Sequence, residues 1–374
     1  MKFTVDAEVL AEAIALCDRA IPKRPSRPIL GHMLMQLDNG SLTLKGFDEA
    51  LGISFSLPVD MERSGDCCVS PTYLKPILER LSGQVALDLQ HPVLVLTTLG
   101  GEYRINTLLA EDYPNLPEVD GTPVELSISS EELRAAIAAT VFCASTDESK
   151  QVLTGVHFSV TPGEEGEAGV MELAATDGHR MIAYPLPGGS VVIPEDYRPV
   201  TLPGKSLREL LTVLKGYEGT VKLTFDDVSV HALCGDTELY SRVIEGQYPN
   251  YRQLFPKVFS KVATCDRKPF LLALDRTLVV AGENRDIVKL EFDTTGLVMS
   301  AEAKEAAKAQ EQVAGAACND AITLAGNGKY IKEALTNAIV GETFTMEMNK
   351  PESPVVFTDG SPATYLMMPI QIRS

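Results

Sequence analysis

The sequence predicts an α+β fold made of three copies of one unit, each with two helices laid on an antiparallel sheet. Three observations carry this. First, a helix, a hairpin, a second helix and three strand-like runs follow one another in the same order three times. Second, matching apolar landmarks in the second helix of each pass, Leu74, Leu207 and Ile331, stand about 120 to 135 residues apart, the length of one domain. Third, the joins after the first and second passes, DYPNLPEV at 112–119 and QYPNYRQL at 247–254, share Tyr-Pro-Asn. The expected domains are therefore 1–122, 123–254 and 255–374.

In the first pass Asp6 is a suitable N-cap for DAEVLAEAIALCDRA, whose Leu10, Ala13, Ile14 and Cys17 fall on one helical face. Two alternating runs around Asn39-Gly40 read as a hairpin. Ser70-Pro71 opens a second helix with Leu74, Ile77, Leu78 and Leu81 as its stripe and Gly83 as its stop, kept short by Pro76. VALDL, VLVLTTL and EYRINTL, separated by His91-Pro92 and Gly100-Gly101, are the closing strands. The second pass opens on the capping box Ser129/Glu132, with Leu133, Ile137 and Val141 on one face. VHFSV and VMELAATD then flank the acidic loop PGEEGEAG, Leu207, Leu210, Leu211 and Leu214 rebuild the second helix before Gly216, and VKLTF, VSVHAL and ELYSRVI close. The third pass has Arg267 to Leu278 as first helix, with Pro269 in its first turn, then VKLEFD and LVMSAEA, Tyr330 to Ile339, FTMEM, VVFTD and TYLMMPI. The Ala-, Glu- and Lys-rich stretch from Glu302 to Cys318 reads equally as a loop or a short helix.

Composition narrows the function. No apolar run approaches the ~20 residues that cross a bilayer, and MKFTVDAEVL lacks the basic-then-apolar order of a secretory signal, so the expected location is the cytoplasm. Seven cysteines, at 17, 67, 68, 143, 234, 265 and 318, show neither CxxC nor zinc-type spacing and read as reduced core thiols, with no metal or cofactor expected. A net charge of −18 argues against gripping nucleic acid by an overall field. The charge on the helices is nevertheless mixed. Arg19, Lys75, Arg80, Arg134, Lys205, Arg208, Lys215, Arg276, Lys329 and Lys332 occupy non-apolar positions, with Lys23 and Arg24 just beyond the first helix and Glu8, Glu12, Glu131, Glu132 and Glu209 interleaved. Helices on one side of sheets placed end to end make a curved wall, and two walls close a ring.

One stretch stands out within this frame. In ATDGHRMIAYPL, 175–186, Asp177-Gly178 reverses the chain between two core-strand runs and sets Thr176, His179 and Arg180 together at the edge of a buried element. Together with RPSRPILGHMLMQ near the start, RVIEGQYPNYRQLFPK at the second join and YLMMPI near the end, this ATDGHR block resembles the bacterial sliding clamps, the beta subunits of DNA polymerase III. The match runs nearly end to end.

The resemblance implies three DNA-clamp domains per subunit and a head-to-tail homodimer that closes a ring around duplex DNA. The ring would tether the replicative polymerase and do no chemistry, with the clamp loader, repair polymerases and other motif-bearing proteins as further partners. It also implies a pocket for short peptide motifs between the second and third domains, formed by Leu153, Thr176, Gly178, His179, Arg180, Met181, Pro249, Leu254, Asn327, Tyr330, Pro354, Leu366, Met368, Pro369 and Ile370. In this reading the Met and Leu residues are adaptable apolar wall, while His179 and Arg180 hydrogen-bond the peptide. Arg24 matches a family position near the hole, and Arg80, Lys150, Lys205, Arg208, Lys215, Arg276 and Lys332 are expected to face DNA from their placement. Tyr103 and Ile105 would meet Thr277 and Leu278 of the partner subunit across the dimer interface.

Gln253 and Gln371 stand where the family commonly has basic residues, which implies weaker dependence on acidic groups in the ligand motif. Two rivals remain. Asp177 and His179 would point the same way on a strand, as acid–base partners do, yet His32, His91, His157 and His231 form no HxH or HExxH group, no GxSxG elbow is present, and GNGKY at 326–330 is not a phosphate loop. The other rival is a peptide-binding scaffold that never encircles DNA, which the acidic balance keeps open.

Overall fold

The computed structural model describes residues 1–119, 123–161, 169–186, 188, 190–194, 197–303 and 306–371. Most of the predicted acidic loop at 162–169 lies outside the described residues. Six α-helices appear among them: α1 Ala7–Cys17, α2 Pro71–Leu78, α3 Ser130–Val141, α4 Gly204–Leu214, α5 Arg267–Ala281 and α6 Gly328–Asn337. They form where periodicity and caps agree. Asp6 accepts hydrogen bonds from the Glu8 and Val9 amides, and Leu10, Ala13, Ile14 and Cys17 are buried on one face of α1. Proline at the first position starts α2, and Pro76 inside it goes with only eight residues of helix.

Contacts gather the chain into two compact units that cut through the middle repeat. The first holds Met1–Glu131, Gly189–Arg198 and Lys205–Val243. Its strands form one antiparallel sheet of fourteen. Asn39 and Gly40, both at positive φ, turn the first hairpin between Met33–Asp38 and Ser41–Phe47. Strand Leu51–Pro58 of the first repeat then pairs with Thr237–Arg242 of the second, Leu239 opposite Ile53, so the sheet runs through the seam between them.

The second unit holds Glu132–Gly188, Pro199–Gly204 and Ile244–Ser374, with a nine-stranded and a four-stranded antiparallel sheet. Here strand Arg180–Leu186 pairs with Thr364–Met367, Met181 opposite Leu366, making a second seam of the same kind. The stretch from Glu302 to Cys318, left open between loop and helix, contributes strands instead. Gly296–Ala303 pairs with Ala307–Val313, and Ala316–Cys318 pairs with Lys261–Asp266. Burial alternates along Gly296–Ala303, as a half-buried strand requires.

All seven cysteines are free and buried, and burial pushes the Cys67, Cys68 and Cys265 thiols up to about 12, so these three stay protonated and inert at neutral pH. No helix among the described residues is long and apolar enough to cross a membrane.

Candidate functional site

The turn Thr176–Arg180 is built by its own side chains. The Asp177 carboxylate accepts from the His179 amide at 2.9 Å and the Arg180 amide at 3.1 Å, closing an Asx turn that Gly178 completes at φ +94°. The Thr176 hydroxyl donates to the Arg180 carbonyl at 2.6 Å and accepts from the Gly178 amide at 3.0 Å. The His179 carbonyl accepts from the Met368 amide at 2.9 Å, which ties the turn to the end of the last strand.

Arg180 locks this arrangement. Its side chain is 8% exposed and all three guanidinium nitrogens are engaged: Nε to Asp177 at 3.0 Å, one terminal nitrogen to Glu333 of α6, the other to the Phe142 carbonyl at 3.0 Å. The guanidinium also lies 4.2 Å from the Tyr330 ring centroid and 5.5 Å from that of Phe142. Arg180, expected to hydrogen-bond an incoming peptide, spends one donor of each guanidinium nitrogen on holding the wall. His179 is exposed at the turn and keeps its ring available.

Beside the turn lies an apolar cluster. Met181, Leu366, Ala174, Ala183, Val356, Tyr248 and Tyr251 are buried together, with Val152, Leu153, Phe255 and Phe259 packed against them. Leu254 and Met368 are half-exposed apolar side chains, at 53% and 42%, and Pro249 is exposed between the two tyrosines. Asn327 caps α6 by accepting from the Lys329 and Tyr330 amides, and the Tyr330 carbonyl accepts from the Tyr365 hydroxyl at 3.1 Å. Pro354, Pro369 and Ile370 are half-buried, and the Ile370 amide donates to the Ala325 carbonyl at 2.8 Å, which continues the chain beyond the last strand along Ile322–Asn327. All fifteen expected pocket residues thus belong to the second unit.

Lys150, expected to face DNA from sequence, is placed at this turn. Its ammonium lies 3.5 Å from the Asp177 carbonyl and 3.7 Å from where a Cβ on Gly178 would stand. Sequence reasoning also missed Phe142 and Glu333, which hold Arg180 from two other helical segments. Their only signal was position: one follows α3 and the other lies on the polar side of α6.

Among the other cations, several are already paired: Arg19 with Glu209, Lys75 with Asp18 at 2.8 Å, Lys205 with Asp48, Arg276 with Glu311 at 2.7 Å, Lys329 with Asp286 at 3.0 Å and Lys332 with Asp275 at 2.8 Å. Arg80, in the turn after α2, donates to the Pro76 carbonyl at 2.6 Å. Arg24, Arg208 and Lys215 are exposed. Two of the four expected dimer contacts need correction. Ile105 is 6% exposed and Thr277 wholly buried, its hydroxyl given to the Ala273 carbonyl, so neither offers its side chain to a partner. Tyr103 is 37% exposed and Leu278 half-buried, and the large exposed apolar residues of α5 are Leu272 and Val279.

A tandem α+β chain with a braced polar turn against a buried apolar cluster, set at a seam between repeats, defines a class of repeat scaffold. Models of the DNA polymerase III beta subunit match it in three blocks: the N-terminal domain over residues 1–117, the central domain over 127–250 and the C-terminal domain over 252–371. The chain belongs to that family, the beta sliding clamps. It is 33% identical to the beta sliding clamp of Synechococcus elongatus and 32% identical to that of Synechocystis sp., in both cases over the whole of each chain. Among solved structures it superimposes on the C. crescentus beta sliding clamp and the Bacillus subtilis DNA polymerase sliding clamp, each with a TM-score of 0.91 and full coverage of both chains, at 25% and 24% identity. The α+β clamp fold expected from the repeats is the one found.

Proposed function

We propose that two copies of this chain close a ring around duplex DNA and tether a replicative polymerase to it, without a catalytic centre of their own. The observation that carries the tethering is the cleft of the second unit. Arg180 holds the Asp177–Gly178 turn rigid, and the exposed Leu254 and Met368, backed by the buried Met181 and Leu366, give it an apolar wall of the adaptable kind that accepts short peptides from several partners. The bound motif turns each rebinding of the polymerase into an intramolecular event. The clamp loader and repair polymerases use the same cleft. His179 and Lys150 are the polar groups at its rim that meet the peptide.

The three domains of this reading are 1–122, 123–254 and 255–374, and the ring works in the cytoplasm. DNA is held loosely. With Arg19, Lys75, Lys205, Arg276 and Lys332 paired to carboxylates, the helices present a muted positive field, and Arg24 and Lys215 carry exposed charge. Such a surface favours sliding over gripping and gives weak, salt-sensitive affinity. In the dimer, Tyr103 packs on the partner's α5 around its Leu278 and the exposed Leu272 and Val279.

The same ion pairs favour a second reading, a peptide-binding scaffold that never encircles DNA. Loading onto nicked circular plasmid separates the two. A ring stays with the circle through gel filtration in 150 mM salt (about physiological) and is released when the plasmid is cut once. Equal retention before and after cutting, or none at all, would remove the ring.

A further inference from the structure

The apolar cluster behind the cleft has a second exposed end that the motif pocket does not use. A groove of about 410 Å³ opens there, walled by Tyr251, Phe255 and Phe259 of the join and floored by Ala183, Val356 and Thr364 of the sheet. Its two ends differ in charge. At one, Glu172 is spent: it accepts from the Tyr251 hydroxyl at 2.5 Å and from Arg252 at 3.0 Å. At the other stands Glu347, half-buried, and among the described residues its carboxylate has no ion-pair partner.

Register fixes how far this carboxylate lies from the cleft. Met181 is opposite Leu366, Leu366 opposite Val356, and Val356 opposite Glu347, so the four share one row on one face of the nine-stranded sheet. Three interstrand spacings of about 4.8 Å put Glu347 about 14 Å from Met181, the span of roughly four residues of extended peptide at about 3.3 Å each. The groove and the turn thus back onto one buried apolar cluster, and the groove ends on an unneutralised negative charge.

We infer that this groove is a second subsite for partner peptides: it takes an apolar side chain against Phe255, Phe259 and Val356, and a lysine or arginine on Glu347, about four residues from the anchor held at Met181 and Leu366. The inference rests on the cleft being a peptide site. It adds a preference for a basic residue at a stated distance on one side of the motif. A chain of net charge −18 that carries an acidic groove beside its cleft discriminates against acidic flanks there and for basic ones.

The test uses the full-length protein and labelled sixteen-residue peptides that hold a central Leu-Phe anchor in a neutral serine-alanine background. A single lysine is moved through each position from two to seven on either side of the anchor, and binding is read by fluorescence anisotropy. The expected profile has one maximum, about four residues from the anchor on one side, where affinity rises about fivefold over the lysine-free parent. Glu347→Gln flattens that maximum and leaves the parent peptide's affinity unchanged. A flat lysine scan with the parent still bound, or a maximum that survives Glu347→Gln, would overturn the subsite while leaving the cleft in place. If the parent binds wild type and Met181→Glu equally, the cleft reading itself fails. Failure of the parent to bind removes both.

Discussion

The two seams are one structure written twice, and the differences between them show what a cleft needs. In each, a hairpin of one repeat pairs with the last strand of the next, an aspartate closes the turn through two amides, and a carbonyl of the turn accepts from an amide at the end of that strand. Asp48 accepts from Ala50 and Leu51 at 3.0 and 2.6 Å as Asp177 does from His179 and Arg180, and the Ala50 carbonyl accepts from the Arg242 amide at 2.9 Å as His179 does from Met368. By this register Leu51 corresponds to Arg180, Gly52 to Met181, Glu49 to Gly178, Leu34 to His157 and Tyr113 to Tyr248.

The first seam is filled from within. Leu116, immediately after the shared Tyr-Pro-Asn, packs so closely on Gly52 that a Cβ there would stand 2.6 Å from its side chain. At the second seam Met181 occupies the glycine's place, Tyr251 that of Leu116, and Leu254 and Met368 stay exposed. The second join is filled as well, by Met181 and Tyr251, and differs from the first in the apolar side chains it leaves exposed at its rim.

The largest effect should come from giving the second seam the first seam's residue. Arg180→Leu leaves Asp177 and Glu333 without their cation and the Phe142 carbonyl without a donor. Stability of the chain to urea should fall by about 3–5 kcal/mol, the usual consequence of breaking a buried ion pair from one side. Titrated under native conditions, the anchor peptide should bind at least tenfold more weakly because its wall is no longer fixed. A loss under about 1 kcal/mol with affinity intact would show that the turn holds itself, as the Asp48 turn does beside Leu51.

A smaller effect separates the seams by pH. His157 stacks on Tyr248 with ring centroids 4.5 Å apart, and burial, helped by Arg252, pushes its pKa down to about 4. The unfolded chain, with histidine near 6.5, binds this proton more readily, so the contribution is fully present above about pH 6.5 and is lost as pH falls toward 4. The expected change is on the order of 2 kcal/mol between those limits. Leu34 occupies the matching place in the first seam and has nothing to titrate. His157→Leu should therefore remove that part of the slope when urea midpoints at pH 7 and pH 4.5 are compared. An unchanged slope would place the acid sensitivity elsewhere.

Much of this comparison was legible in the sequence because its causes are local. Helix periodicity, Asp6 as a cap, Asn39-Gly40 as a turn and the doubled Tyr-Pro-Asn are written over short spans, and each falls where the spacing put it. The cleft's residues came from the ATDGHR and YLMMPI blocks through resemblance. What stayed hidden depends on partners far away in the chain. Nothing around Arg180 says that Glu333, 153 residues on, takes its charge, and nothing around Lys150 says that its ammonium leans over Asp177. Thr277 and Ile105 looked available because a strand or helix position does not announce which face is covered. The Ala-, Glu- and Lys-rich run at 302–318 has helical propensity, but pairing with the neighbouring strands overrides it.

The smallest effect is carried by the two tyrosines themselves. The Tyr113 hydroxyl donates to the Lys45 carbonyl at 3.2 Å, whereas that of Tyr248 is buried without a hydrogen bond of good geometry among the described residues, the Thr176 backbone standing near it. Deleting a satisfied hydroxyl costs about 1 kcal/mol, and deleting an unsatisfied buried one relieves a desolvation penalty of similar size. Tyr113→Phe should lower stability by about that amount, and Tyr248→Phe should leave it unchanged or raise it. The two are measured as paired urea midpoints at pH 7.5, where His157 is neutral. Equal losses for both would mean that the Tyr248 oxygen has a partner, such as an ordered water, and that the second join is as fully satisfied as the first.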